Sequence, residues 1–238
     1  MKKIIKKIIR IVLSPFILVD YFKFKSVDTR PRFKNQAKDF YPQIKDKTIK
    51  TGFDTHYVYH TSWAARKVRE INPEFHTDIS SSLYFSGLVS AFIPVKFYDY
   101  RPADLKLSNL ESFAGDLMKL PFDNNSVNSL SCMHTIEHIG LGRYGDPIDP
   151  VGDLKAALEL KRVLAKDGSL LFVTPVGKPK IEFNAHRIYS YEMIMEMFES
   201  LKLVEFSLVT DSGDFIEQAN PDIVKAQKYG CGCFWFKK

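Results

Sequence analysis

Three acids in this chain follow one another at spacings that could place each near a strand end. Asp78 lies in FHTDI, Asp99 lies in FYDY, and Asp116 opens DLMKLPF. A carboxylate at the end of a second strand can accept both hydroxyls of a ribose. Asp116 could accept an adenine amino group while Leu117 covers the ring. A second group is His134, Glu137 and His138 in MHTIEHIG, followed by GLGRYGDPIDPVGD. Histidine suits general-base work near neutral pH. Long loops shaped by glycine and proline tend to carry function. This one offers Arg143, Tyr144, Asp146, Asp149 and Asp153. Arg143 could hold a phosphate or a sugar acid. Asp146 and Asp149 could hold Mg²⁺, but solvated turn residues are the preferred reading, and no metal is expected.

These residues need elements to position them. FHTDI reads as a strand, VKFYDY as a second, and residues 127–133 as a third after a polar turn over 123–126. SLLFVTPVG is near-continuously apolar, as buried parallel strands are. Between them, TSWAARKVREINPEF is a short helix with Thr61 or Ser62 as cap and Asn72-Pro73 as stop. Residues 83–92 are apolar and helical. DLKAALELKRVLAKDG is an amphipathic helix stopped by Asp167-Gly168, and YSYEMIMEMFESL is a helix capped by Ser190. VEFSLVTD and CGCFWFKK close the chain as strands. Strands alternating with helices predict a doubly wound, mostly parallel α/β sheet. Ligands bind such sheets beyond the carboxyl ends of the strands. That directs attention to residues 78–82, 99–101 and 134–143.

The chain has 238 residues, enough for one large α/β domain with additions. A hydrophobic content of 45% with 19 Phe and 11 Tyr supports a packed core. The net charge is +6, and its position decides what it attracts. The start, MKKIIKKIIRIVLSPFILVDYF, alternates Ile4, Ile5, Ile8, Ile9, Val12 and Leu13 with Lys2, Lys3, Lys6, Lys7 and Arg10 at helical spacing. A basic amphipathic helix over 1–25, lying on an anionic membrane surface, is expected. A cleaved signal peptide would have an uninterrupted apolar core. A spanning helix needs about 20 mostly apolar residues. Packing on its own domain is the bland alternative. Cys132, Cys231 and Cys233 show no metal spacing and fit a reducing, cytoplasmic setting.

Taken together, the chain resembles a class I S-adenosylmethionine-dependent methyltransferase. DLMKLPFDNNSVNSLSCMHTIEHIG and ELKRVLAKDGSLLFVTP carry the resemblance, which spans about residues 61–210. DISSSLYFSGLVSAF, FYDYRPADL and EHIGLGRYGDPIDPVGDLKA are similar to a domain-of-unknown-function subgroup often encoded among bacterial surface-polysaccharide genes. The resemblance implies a Rossmann-like, seven-stranded sheet ending in an antiparallel hairpin. It divides the chain into the helix 1–25, a lid or substrate segment 26–75 and a methyltransferase domain 76–238.

It also implies residue roles. Asp78, Ser80 and Ser82 line the methionine part, Asp99 the ribose, Asp116 and Leu117 the adenine. His134, Glu137 and His138 face the transferring methyl, with His138 as the first choice of base. Capping or structural work is the competing reading for Glu137 and His138. Arg143, Tyr144, Asp146 and His186 are candidate substrate contacts; a surface role competes for His186 and Arg187. His56, His60 and Trp63 lie where this superfamily carries a lid; Trp63 stacks on a sugar or fills the core, the core being preferred. Superfamily loops usually follow the first acid with alternating glycines. Here Ser80 and Ser82 stand at those positions, so the loop is a variant cofactor site, a decayed one, or a plain strand end.

The expected activity is O-methylation of a sugar hydroxyl, free or lipid-linked, in surface-glycan synthesis at the inner face of the cell membrane. A lipid or quinone-like ring as acceptor, or a non-catalytic scaffold, are the alternatives. Nucleic acid is not an expected partner, because the basic charge concentrates at the N-terminus and no recognition domain is visible.

Overall fold

The computed structural model describes residues 15–30, 32–44 and 46–238. The amphipathic pattern of residues 1–14 lies outside them. The chain forms two compact units, Met1–Phe53 and Asp54–Lys238. In the first, α1 spans Pro15–Val27 and leaves Phe16, Val19, Phe22 and Phe24 exposed. Among the described residues no helix is long and apolar enough to cross a membrane.

The second unit opens with α2 (Thr55–Ile71), capped by Asp54, whose side chain accepts from Tyr57 N. The helix starts six residues ahead of the expected cap at Thr61. Asp54 is the better cap because it is the residue with extended backbone, while Thr61 turns its hydroxyl back onto the Tyr57 carbonyl as a mid-helix threonine does. Asn72 closes the helix in a left-handed conformation. Then follow β1 (His76–Ile79), α3 (Leu83–Val89), β2 (Val95–Asp99), β3 (Leu110–Ala114), β4 (Val127–Met133), α4 (Gly152–Val163) and β5 (Leu164–Val176). A hairpin of β6 (Lys180–Glu182) and β7 (His186–Ile188) precedes α5 (Tyr191–Met197). β8 (Lys202–Val209), β9 (Phe215–Ile216) and β10 (Gly230–Lys237) complete the chain.

The main sheet has eight strands in the order β3-β2-β1-β4-β5-β10-β8-β9. Strands β1 to β5 pair in parallel, and β10 inserts antiparallel between β5 and β8. The eighth strand is the two-residue β9. α4 ends at Val163, earlier than Asp167-Gly168, because Leu164 already pairs with Val127 on β4. The Lys166–Gly168 turn is a bulge inside the strand: the register moves from Val127 opposite Leu164 to Ser129 opposite Ser169.

Strand alternation divides the core in two. One face carries Leu130, Cys132, Leu170, Phe172, Phe234 and Phe236 against α4 and α5. The other carries Val95, Phe97, Met133, Leu171, Cys231, Cys233 and Trp235 against α2 and α3, where Trp63 fills the core and donates to Glu205 Oε1 at 2.8 Å. β1 is fully buried yet reads His-Thr-Asp-Ile. Its histidine and aspartate find partners on neighbouring elements, whereas the buried Thr77 hydroxyl has none among the described residues. Ser131 Oγ donates to Asp78 Oδ1 at 2.6 Å, and Ser86 on α3 donates to Asp78 Oδ2. With its proton spent, Ser131 accepts from His76 Nε2 at 2.9 Å, and His76 Nδ1 accepts from Ser129 Oγ at 2.8 Å. This assigns one neutral tautomer to His76, and burial lowers its pKa to about 3.

Candidate active site

Two cavities open at the carboxyl ends of β1, β2 and β4. The first is lined by Asp99, Gly115, Asp116, Leu117, Met118 and Pro147. The second is lined by His56, Tyr57, Glu137, Arg143, His186 and Tyr229. Ser80, His134, His138 and Tyr144 line both, so the cavities meet at these four residues.

The first cavity collects the expected acceptors. Asp99 ends β2, and its Oδ1 accepts from Arg101 N at 2.7 Å. Asp116 accepts from Met118 N at 2.8 Å through Oδ1, fixing the turn that presents Leu117 and Met118. Arg101 lies over the Tyr144 ring at 4.7 Å, joining the β2 and β4 loops across the opening. Ser80 takes a left-handed backbone, φ 55°, the conformation for which glycine is favoured. Its hydroxyl donates to the Tyr98 carbonyl at 3.2 Å and its own carbonyl accepts from Thr135 Oγ1 at 3.0 Å. Ser82 caps α3, and Ser81 accepts from Met133 N. Asp78, expected to line the ligand, is turned into the sheet and lines neither cavity. Burial raises its carboxyl pKa to about 6, against the hydroxyl donors that hold it down.

The loop from Gly140 to Pro150 is held in shape by its own acids. Asp146 Oδ2 accepts from Gly140 N at 2.8 Å and Gly142 N at 3.3 Å, and Oδ1 from Tyr144 N. Burial opposes charge on Asp146, but these N–H groups outweigh it and hold the carboxyl below its usual range. Asp149 accepts from Val151 N and pairs with Lys155 at 2.6 Å. Both aspartates are thus turn residues, although Asp146 also borders the first cavity. Gly140 has φ 78°, and a Cβ there would stand 2.0 Å from the Asp149 carbonyl oxygen. Arg187 is buried, not at the surface. It donates to Ile139 O at 2.7 Å and faces Asp153 at 3.6 Å, tying the loop to β7.

In the second cavity the histidines differ in what they can do. His134 exposes 6% of its side chain, with Nδ1 2.9 Å from Glu137 Oε1 and Nε2 3.4 Å from Cys231 Sγ. Burial works against its charge, but Cys231 and Glu137 outweigh that and push its pKa up to about 10. His138 is half-buried, and its Nδ1 lies 2.6 Å from the Ala185 carbonyl. A carbonyl only accepts, so Nδ1 carries the proton and Nε2 keeps its lone pair. Arg143 donates to the same carbonyl at 2.9 Å. Burial lowers the His138 pKa despite the Glu137 carboxylate. Glu137 Oε1 stands 3.8 Å from Nε2, close enough to favour a proton arriving there. His186 sits 3.3 Å from Glu182 and packs on Tyr229.

Sequence reasoning passed over Tyr57, Thr135, Ala185 and Tyr229. Thr135 lies within the searched 134–143 stretch, and Tyr57 and Ala185 adjoin the candidates His56 and His186, but their side-chain and carbonyl roles depend on tertiary contacts that spacing does not show.

Strand order, the antiparallel β10 and the cavities at strand ends define the architecture. The fold is that of the Rossmann-like methyltransferases. A candidate sarcosine dimethylglycine methyltransferase from Galdieria sulphuraria superposes with a TM-score of 0.54 at 13% identity, over 76% of this chain and 86% of that one. A candidate methyltransferase from Bacillus halodurans gives 0.51 at 13%, over 74% and 99%. The YcgJ protein of Bacillus subtilis gives 0.51 at 14%, over 76% and 99%. By sequence, residues 113–221 match a family described as a Caenorhabditis protein of unknown function, DUF268. No curated protein matches the sequence.

Proposed function

We propose that this protein is an S-adenosylmethionine-dependent methyltransferase that methylates a sugar hydroxyl. The observation that carries the reading is the meeting of the two cavities at Ser80, His134, His138 and Tyr144. The first cavity has the groups a nucleoside needs. Asp99 would bind the ribose hydroxyls, Asp116 the adenine amino group, and Leu117 with Met118 its faces. Ser80 already has the backbone shape of the glycine it replaces, so the residues fit the cofactor.

When bound, S-adenosylmethionine supplies a methyl group on a sulfonium sulfur. His138 holds Nε2 free at the junction and takes up the acceptor hydroxyl's proton, while Glu137 offsets the resulting charge. His134 is the poorer base because both ring nitrogens are engaged. The second cavity mixes aromatic faces, from Tyr57, Tyr144 and Tyr229, with polar Asp54, Arg143 and His186. Sugar rings take this combination of stacking and hydrogen bonding. A glycan acceptor on a lipid carrier would bring the exposed phenylalanines of α1 and the preceding basic residues to the inner face of the membrane. Deleting residues 1–25 is then expected to release the protein from the membrane fraction; unchanged fractionation would remove the membrane from the proposal.

The deciding experiment is a calorimetric titration of S-adenosylmethionine into the protein and its Asp99→Ala variant. Loss of charge-assisted hydrogen bonds worth about 1–3 kcal/mol lowers affinity by about 5- to 150-fold. Equal affinity for both would remove the ligand from the first cavity. No binding to folded wild-type protein would favour a scaffold built on this fold.

A further inference from the structure

We propose that His56, His134 and Cys231 bind one divalent ion of the zinc class, with an open coordination position on the second cavity. The three residues are remote in sequence and meet because of the fold. His56 lies in the first turn of α2, His134 follows β4, and Cys231 is the second residue of β10. Alternation along β10 puts Cys231 with Cys233 and Trp235 on the face that α2 covers. One imidazole nitrogen from each histidine and the sulfur lie within 4.8 Å of one another.

Zinc bonds of about 2.0–2.1 Å to nitrogen and 2.3 Å to sulfur set tetrahedral donors about 3.3–3.6 Å apart. His134 Nε2 and Cys231 Sγ, at 3.4 Å, already have that spacing. His56 must close by about an ångström, a rotamer-scale movement for a side chain that borders the cavity.

The surroundings resemble those of a metal ligand more than those of a nucleophile. Glu137 holds His134 Nδ1 at 2.9 Å and so turns Nε2 toward the sulfur. Metal-bound histidines commonly have such a carboxylate on the second nitrogen. Cys231 is fully buried, which closes it to a substrate but not to an ion held between it and the cavity. A second, independent observation is His60. Its Nδ1 lies 2.7 Å from the His56 carbonyl, and its Nε2 is buried with no hydrogen-bond partner. Its ring centre is 4.9 Å from that of His134. A water on the ion would give that nitrogen a partner. Two imidazoles and a thiolate select a borderline-soft ion such as Zn²⁺ over Mg²⁺. Binding releases to solvent the protons on the Cys231 thiol and on His134 Nε2, leaving the sulfur as thiolate and Nε2 with a free lone pair, while Nδ1 keeps its proton toward Glu137.

The site stands whether or not methyl transfer is the reaction, and its test reads metal binding alone. Chelator-treated full-length protein is titrated with Co²⁺ as a spectroscopic probe, then with Zn²⁺. The expected result is a thiolate-to-cobalt charge-transfer band saturating at one ion per chain and abolished by zinc. Cys231→Ser removes the band and Cys233→Ser keeps it. His56→Ala and Glu137→Gln each weaken binding about 10-fold or more. His56 is only half-buried, so its variant keeps the test valid if Cys231→Ser does not fold. Absence of the band in folded wild-type protein overturns the proposal. So does a band that survives His56→Ala undiminished.

Discussion

The two cavities share four residues but are built by opposite means. The first is assembled from consecutive strand ends: Ser80 after β1, Asp99 at the end of β2, Asp116 and Leu117 after β3. The second draws on residues 56, 57, 134, 137, 186 and 229, brought together by a helix ahead of the sheet, a hairpin after β5 and the start of β10. One is local and follows from topology. The other depends on packing between distant segments. The difference points to a division of labour, with the sheet topology supplying the first cavity and segments outside the parallel strands supplying the second.

The strongest way to break that division is His138→Ala. Loss of a general base is expected to lower turnover by about 10²–10⁴-fold. Cofactor affinity should stay within about twofold, because the proposed Asp99 and Asp116 contacts are untouched. A parallel loss of binding would mean that the cavities act as one. The proposed base would also set the acid limb of activity. Burial holds the His138 pKa below its ordinary 6.5. The imidazole is therefore neutral and competent above that value, and activity falls as pH drops through the lowered pKa. A limb centred above 6.5 in kcat/KM would assign the base elsewhere.

The contrast also explains what the sequence revealed. Strands β1, β2, β4, β5, β8 and β10 were legible because each is a short apolar or alternating run between turn signals. Asp99, Asp116 and Leu117 followed, since a doubly wound sheet dictates where a ligand sits. β3 was missed because LESFA carries too little apolar pattern, and only its pairing with β2 orders it. The β6-β7 hairpin stands apart from the main sheet and exposes all of β6, so burial left no trace in its sequence. His134 and His138 were found as neighbours of a strand end. Their different fates were not legible, because they depend on Cys231, 97 residues away, and on the Ala185 carbonyl. Asp78 was placed on the ligand by the resemblance. Its partners Ser86 and Ser131 could not be inferred without the register of β1 on β4.

That buried network offers a second, smaller test. Asp78 has a folded pKa of about 6, raised above its ordinary 3.8 by burial. The folded state therefore binds its proton more tightly than the unfolded state. Its stabilising contribution is complete below about pH 3.8 and is lost as pH rises through 6. His76 has the opposite sense: its folded pKa is depressed to about 3, so its contribution is present above 6.5 and lost as pH falls. Between about pH 4 and 6 the two nearly cancel, since the folded state holds a proton on Asp78 and the unfolded state holds one on His76. Asp78→Asn removes one side of the balance. The stability of wild type relative to this variant is expected to fall by about 2–3 kcal/mol between pH 3.8 and 6. Urea titrations across that range measure it. A flat difference would mean that Asp78 titrates normally and that the sheet interior is wetter than its burial implies.

The smallest effect concerns the loop where serine stands at a glycine position. Ser80 holds φ 55°, a conformation that costs a residue with a Cβ about 1–2 kcal/mol. Its hydroxyl recovers about 1 kcal/mol by donating to the Tyr98 carbonyl. Ser80→Gly relieves the strain, loses that hydrogen bond and adds about 0.5–1 kcal/mol of chain entropy to the unfolded state. These terms nearly cancel, so the variant should lie within about 1 kcal/mol of wild type in urea midpoint stability. Ser80→Val keeps the strain, loses the hydrogen bond and adds β-branching in the left-handed region, at a cost of about 2 kcal/mol or more. If glycine instead stabilises by well over 1 kcal/mol, the hydroxyl contributes nothing to the fold. Its position on both cavities would then have to be explained by the ligand it meets.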